Sequence, residues 1–202
     1  SPAVAARCAH AKAGVGVVAS QNITDPRLGP KTLLAMAEGH SAPEAVKMII
    51  NASKNADFRQ LLAVDARGNA AIYSGSKSLG THADFASHNA AAAGNLLANP
   101  AIPEAMVTAF HQGTGHLGDR LIDAMRAALA LGGEAGALHS AGLLLVGEQE
   151  WPMADLRCDW TEDCPIEAVA AAWNIYKPQM DDYIVRALDP AKAPQYGVPG
   201  DE

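Results

Sequence analysis

The predicted strands and helices of this chain come in pairs. A hairpin is predicted at 61–73, because the turn residues Arg67-Gly68-Asn69 separate two apolar runs. Two successive helices are predicted at 103–112 and 117–131, followed by a buried strand at 141–146. Two helices in succession between strands favour an α+β layered sandwich over a doubly wound parallel sheet.

Local patterns predict the remaining elements. Ser41 and Glu44 match a capping box that begins a helix ending near Ala52. Lys177-Pro178 predicts a kink in a helical stretch at 165–188. Apolar spacing and turn residues predict a short helix at 3–11, a helix at 31–38, strands at 14–20, 88–93 and 154–160, and an irregular tail at 193–200.

Composition and charge argue against several classes of protein. Of the 202 residues, 49% are hydrophobic and 18% are charged, which allows a sizeable core. The net charge of −7 and the lack of a Lys/Arg cluster argue against nucleic-acid binding. The sequence has no apolar run long enough for a transmembrane helix, and Cys8, Cys158 and Cys164 lack disulfide or zinc spacing. We therefore expect a reduced cytoplasmic protein with no membrane partner and no nucleic-acid partner.

The composition changes at Trp151. Six of the ten aromatic residues lie from this position onwards. We predict two domains, 1–150 and 151–202, the second a strand followed by a helical extension. The aromatic side chains either pack this extension onto the sandwich or bind a glycan or peptide by stacking, and the sequence leaves both interpretations open.

Ser1 and Asn95 are the candidate catalytic residues. Ser1 combines a hydroxyl nucleophile with an α-amine that can act as its general base. Removal of an initiator methionine also exposes serine routinely, so position alone does not decide its role. Asn95 follows a small-residue strand and Gly94, where its amide N–H suits an oxyanion donor, although Asn-Gly pairs equally form turns.

A polar loop after the strand at 14–20 is the candidate substrate-binding segment. Its members are Asn22, Thr24, Asp25 and Arg27, which could orient a substrate or form an Asx-turn before a helix. Arg27 could hold a carboxylate bidentately. The seven histidines show no metal-ligand pairing, and the sequence has no phosphate loop or dinucleotide fingerprint, so we expect no metal and no other cofactor.

Several longer blocks resemble one known family. They are 1–11, 14–16, 20–29, 94–100 and 140–144. In these blocks the chain resembles bacterial proteins catalogued as domain of unknown function 1028, a family placed in the N-terminal-nucleophile (Ntn) hydrolase superfamily. The blocks 155–157, 176–183 and 196–201 resemble a C-terminal extension labelled as peptidoglycan-binding-like.

The resemblance implies a particular fold and a particular maturation. It implies an αββα four-layer sandwich with a C-terminal helical extension, and a leading hairpin before the block that starts at Ser1. An N-to-O acyl shift at Ser1 would leave that hairpin as a separate, non-covalently bound fragment. Because the nucleophile opens the first strand in much of the superfamily, a residue on the leading hairpin is the alternative nucleophile.

These observations lead to one functional hypothesis and one competitor. The hypothesis is an Ntn-type amidohydrolase that cleaves a small amide, such as a cyclic or acylated amino-acid derivative, and that forms a homo-oligomer. Ser1 is its nucleophile and Asn95 its oxyanion donor. The competitor is a non-catalytic protein with the same αββα core and an aromatic-rich C-terminal segment that binds a glycan or peptide.

Overall fold

A computed structural model describes residues 1–195 and 197. The described strands form three antiparallel sheets, with the orders β1-β2-β3-β4, β5-β6 and β7-β8. In chain order they are β1 (Ala9–Lys12), β2 (Gly16–Asn22), β3 (Arg59–Asp65), β4 (Ala70–Ser74), β5 (Ala83–Ser87), β6 (Ala90–Gly94), β7 (Ala141–Val146) and β8 (Pro152–Cys158).

Helices connect the strand pairs. In chain order the helices are α1 (Ala5–Cys8), α2 (Leu28–Ala37), α3 (Ala42–Asn51), α4 (Ile102–Gln112), α5 (Leu117–Ala130), α6 (Pro165–Tyr176) and α7 (Met180–Leu188). Short 3₁₀ turns lie at Ala56–Phe58, Lys177–Gln179 and Pro190–Lys192. Within the described chain, none of these helices has the length and apolar character needed to cross a membrane.

Helices α2 and α3 cover one face of the four-stranded sheet. Val18 of β2 and Leu61 of β3 are buried with Leu33 and Met36 of α2 and Val46 of α3 in one hydrophobic cluster. Side chains alternate along each strand, so the residues directly before and after Val18 and Leu61 in the sequence point to the opposite face of the sheet. The predicted capping box starts α3, with the backbone N–H of Ser41 donating to Glu44 Oε2 at 2.8 Å.

The β5–β6 hairpin approaches the four-stranded sheet, where it contacts β3 and β4. Helix α4 packs on the hairpin, and Ala90 and Ala92 of β6 are buried with Val107 of α4. The small alanine side chains of β6 allow helix and strand to approach closely. Helix α5 packs in turn against α4.

The β7–β8 hairpin carries the C-terminal helices and lies against β1. One hydrophobic cluster includes Ile122 of α5, Leu143 of β7, Ala154 of β8 and Trp173 of α6, which is 1% exposed. The boundary predicted at residue 150 therefore falls between two paired strands, and residues on both sides of it share a core. The division into two domains stays a prediction.

The structure corrects three local predictions. The stretch predicted as one helix at 3–11 divides into α1 and β1, because Ala9–Lys12 pair with β2. The strand predicted at 88–93 lies at Ala90–Gly94, and its partner Ala83–Ser87 was not predicted because it lacks β-branched residues. The strand predicted at 154–160 spans Pro152–Cys158.

Other predictions agree with the described residues. The hairpin at 61–73 is formed by β3 and β4, and the strand at 141–146 is β7. The predicted kink is the 3₁₀ turn Lys177–Gln179 between α6 and α7. In the predicted irregular tail, residues 193–195 and 197 belong to no helix or strand, whereas Tyr196 and residues 198–202 lie outside the described residues.

Candidate functional site

Three carboxamide side chains meet where β2, β3 and β6 approach one another. Gln21 lies near the end of β2, Gln60 near the start of β3, and Asn95 directly after β6. Gln21 Nε2 donates to Gln60 Oε1 at 3.2 Å, and Asn95 Nδ2 donates to the same oxygen at 3.1 Å. We call Gln21, Gln60 and Asn95 the amide cluster.

Gln60 is the centre of the amide cluster. Its side chain is fully buried, and its Nε2 donates to Ser74 Oγ and to the carbonyl oxygen of Gly94, each at 3.1 Å. Its oxygen therefore accepts two hydrogen bonds and its nitrogen donates two, which matches the full capacity of a carboxamide. Buried polar groups that satisfy one another in this way hold a single geometry.

The amide cluster continues to the surface through Ser74. The hydroxyl of Ser74, on β4, donates to Asp84 Oδ2 on β5 at 2.5 Å. Asp84 is exposed. A hydrogen bond to a carboxylate is stronger than one between neutral groups. Asp84 therefore fixes the orientation of the Ser74 hydroxyl, which accepts a hydrogen bond from Gln60.

The local backbone brings Asn95 close to its partners. A Cβ atom on Gly94 would lie 2.5 Å from Leu97 Cδ2, so any larger residue before Asn95 would force the Leu97 side chain to move. One of the two N–H groups of the Asn95 amide donates to Gln60 Oε1. The other N–H is the one that could stabilise a developing oxyanion.

Asn22 connects the end of β2 to two neighbouring segments. Its φ angle is +69°, its Nδ2 donates to the carbonyl of Phe58 at 2.7 Å, and its Oδ1 accepts from the N–H of Leu79 at 3.1 Å. Thr24 Oγ1 donates to the carbonyl of Asn22 at 3.4 Å and lies 3.9 Å from Cys8 Sγ. These contacts assign both side chains at least a structural role in the loop.

Asp25 and Arg27 pair with each other. Arg27 Nε and Nη2 donate to the two carboxylate oxygens of Asp25 at 2.9 and 2.7 Å, and the N–H of Arg27 donates at 3.1 Å. The side-chain hydrogen bonds from Arg27 are the main reason that the pKa of Asp25 falls to about 2. Asp25 thus occupies the bidentate edge of the guanidinium, although the Arg27 side chain is 77% exposed.

Ser1 lies beside the β7–β8 hairpin. Its carbonyl oxygen accepts from Ser140 Oγ at 2.6 Å, and the N–H of Ala3 donates to the carbonyl of Asp159 at 2.9 Å. Ser1 thus bonds to the residue directly before β7, whereas Asn95 bonds to Gln60 of β3, so the two candidate catalytic residues are attached beside different sheets. The assignment of Ser1 and Asn95 to one reaction stays a prediction.

Sequence reasoning missed Gln21, Gln60 and Ser74. Gln21 adjoins the candidate loop, and Gln60 directly precedes the apolar run that predicted a strand. A glutamine beside an apolar strand is a weak signal, because the sequence does not show whether the strand buries it. Across residues 1–195 and 197, no three His, Cys, Asp or Glu side chains are grouped to hold a metal ion.

The fold and site define a mixed α+β protein with small antiparallel sheets and, between two of them, an amide cluster centred on a buried glutamine. The chain belongs to the family of unknown function DUF1028, whose model matches residues 1–169. Its structure is similar to the crystal structure of protein SPO2555 from Silicibacter pomeroyi, a DUF1028 protein, with a TM-score of 0.81 and 27% identity over 88% of this chain and 79% of that chain. The comparison with curated proteins found no match.

Proposed function

We propose that this chain is an Ntn-type amidohydrolase with an αββα sandwich. The order of packing supports the fold, because helices α2 and α3 cover the four-stranded sheet, the β5–β6 hairpin contacts that sheet, and α4 covers the hairpin. The observation that carries the proposal is the amide of Asn95. The buried Gln60 orients it and takes one of its two N–H groups, so the other remains for a reacting carbonyl.

In the proposed reaction, Ser1 Oγ attacks the carbonyl carbon of a small amide. The α-amine of Ser1 takes the hydroxyl proton, and the free N–H of Asn95 binds the oxyanion together with backbone N–H groups. The tetrahedral intermediate expels the amine, which receives the proton from the α-ammonium. Water then attacks the acyl-serine and releases the acid.

We base the substrate class on the loop beside the amide cluster. The guanidinium of Arg27 is exposed, so beside its pair with Asp25 it is open to the carboxylate of a cyclic or acylated amino-acid derivative. Asp25 orients Arg27 through their bidentate pair, and Asn22 and Thr24 hold the loop. We further propose homo-oligomerisation and a cytoplasmic location.

The proposed maturation is tested on the protein expressed from its full natural coding sequence. We expect intact-mass spectrometry to find a chain that begins at Ser1 together with a second, non-covalently bound fragment. Ser1→Ala should give one uncut chain without amidase activity, whereas Ser76→Ala changes an exposed serine and serves as the control. Normal cleavage and activity in Ser1→Ala would remove Ser1 from the mechanism.

The proposed activity is tested by incubation with a library of small amides. We expect release of an amine from at least one cyclic or acylated amino-acid derivative, and loss of this release in Ser1→Ala and Asn95→Ala. A pure protein that hydrolyses no member of the library, under conditions where a control amidase does, would contradict the proposed activity.

Trp160 favours a second candidate function, binding of a glycan or peptide. It is 53% exposed, and its ring stacks on His139 with 4.1 Å between centroids. Trp173, by contrast, is buried in the core and donates to Asp119 Oδ1 at 2.8 Å, so it packs the helical extension. Titration with soluble peptidoglycan fragments should quench tryptophan fluorescence in the wild-type chain and not in Trp160→Ala.

A further inference from the structure

A serine and a histidine meet outside the amide cluster. Ser87 Oγ, at the end of β5, lies 2.7 Å from His111 Nε2, at the end of α4. When His111 carries its proton on Nδ1, Nε2 accepts the hydrogen bond from the serine hydroxyl, whose other acceptor, the carbonyl oxygen of His88, is farther away at 3.5 Å. This is the distance at which a general base activates a nucleophilic serine.

His111 lies in the last turn of α4, where its side chain is exposed. The Ser87–His111 pair is therefore open to a substrate from solution.

A preformed cleft adjoins Ser87. Its volume is about 300 Å³, and Ser87 lines it together with Pro43 and residues 68–70, 86 and 88. The carboxylate of Asp65 holds the turn that lines the cleft at Gly68 and Asn69, since it accepts from the backbone N–H groups of Ala42, Arg67 and Asn69 at 2.9–3.1 Å. Burial by itself would raise the pKa of Asp65. The hydrogen bonds that the carboxylate accepts, chiefly the one from the Asn69 side chain, hold its pKa below the usual value.

The turn after Ser87 offers a donor for an oxyanion. His88 follows Ser87 directly, and its N–H donates to no loop carbonyl within the described residues. Asn89 adopts a φ of +68°, and its own N–H donates to the carbonyl of Gly68 at 2.9 Å, which anchors the turn at the cleft. The N–H of the residue after a nucleophile is a recurrent oxyanion donor.

We propose that Ser87 and His111 form a second acyl-transfer site, separate from Ser1, that hydrolyses small activated carboxylic esters. Ser87 Oγ bonds to the ester carbonyl carbon while His111 Nε2 takes its proton. The oxyanion, bound by the His88 N–H, collapses and expels the alcohol, which receives the proton from His111. Water then attacks the acyl-Ser87, gives its proton to His111, and releases the acid; the proton returns to Ser87.

Labelling with a biotin-tagged fluorophosphonate tests this site independently of the proposed amidohydrolase. The serine oxygen bonds to phosphorus, fluoride leaves, and the histidine takes the proton, so labelling requires an activated serine. Trypsin separates the two candidate serines, because Ser1 falls in the peptide 1–7 and Ser87 in the peptide 78–120. Fragmentation of the second peptide assigns the label to Ser87 rather than Ser78.

We expect the label on Ser87, and a fall of about 10²-fold in its labelling rate in His111→Gln and in His111→Ala. His82→Gln removes another exposed histidine and should leave the rate unchanged. Hydrolysis of p-nitrophenyl acetate should fall in parallel in Ser87→Ala, with unchanged melting temperature. Absence of label on Ser87, or a rate that does not depend on His111, would overturn the proposal, whereas the result at Ser1 bears only on the amidohydrolase.

Discussion

The amide of Asn95 donates to Gln60 Oε1 across 3.1 Å, and this hydrogen bond joins the end of β6 to the start of β3. Gln60 is fully buried, so the orientation of Asn95 depends on a residue 35 positions earlier in the chain. The site proposed for oxyanion binding is therefore part of the contact between two sheets. Changes on either sheet should affect it.

Asn95→Ala should reduce turnover much more than stability. Loss of one oxyanion donor typically lowers kcat by about 10²–10³. If Asn95 only shapes a turn, the variant should lose about 1 kcal/mol of the free energy of unfolding and keep its turnover per folded molecule. Turnover of an amide identified by the library and the melting temperature, measured on the same preparation, decide between these roles.

Gln60→Leu should destabilise the protein strongly. The variant leaves the Asn95 amide and the Gly94 carbonyl without their described partner, and each buried polar group left unpaired costs about 1–3 kcal/mol. We therefore expect the free energy of unfolding in urea to fall by roughly 2 kcal/mol or more. Gln112→Leu is the matched control, because Gln112 is exposed and should change stability by less than about 0.5 kcal/mol. Equal stability of the two variants would contradict a structural role for the amide cluster.

Gly29→Ala tests the close contact between α2 and β1. A Cβ atom on Gly29 would lie 2.0 Å from His10 Cδ2, so the ring must move, at a cost of about 1–3 kcal/mol in the free energy of unfolding. In a His10→Ala background the same change should be neutral or stabilising by up to about 1 kcal/mol, because alanine favours helix over glycine. Gly136→Ala meets no atom within 4 Å and is the control. A Gly29→Ala effect that persists without the His10 ring would exclude this contact as its cause.

Asp25→Asn should have an effect that depends on pH. The pKa of Asp25 is about 2 in the folded chain, below its ordinary value, so its pair with Arg27 stabilises the folded state when the carboxyl is ionised. This contribution, at most about 1 kcal/mol because Arg27 is exposed, is present above pH ~4 and is lost as the pH falls towards 2.

The measurement is the difference in free energy of unfolding between wild type and Asp25→Asn at a series of pH values. Asp57→Asn controls for the loss of one surface charge, because Asp57 lies 3.9 Å from Lys77 in an exposed pair. A difference between wild type and Asp25→Asn that is constant from pH 7 to below 3 would contradict the ion-pair explanation.

Local chemistry in the sequence determined several elements of this protein. The capping box of Ser41 and Glu44 and the turn at Arg67-Gly68-Asn69 depend on contacts within a few residues, so their patterns predicted α3 and the β3–β4 hairpin. Strands β1 and β5 have weak local preferences and form because partners are present, which is why the sequence did not predict them. The sequence also made Asn95 a candidate oxyanion donor, which stays a prediction, but it could not show that the Asn95 side chain bonds to Gln60. Only the tertiary structure decided that pairing, because buried hydrogen-bond partners depend on which strands pack together, and that depends on contacts between residues far apart in the chain.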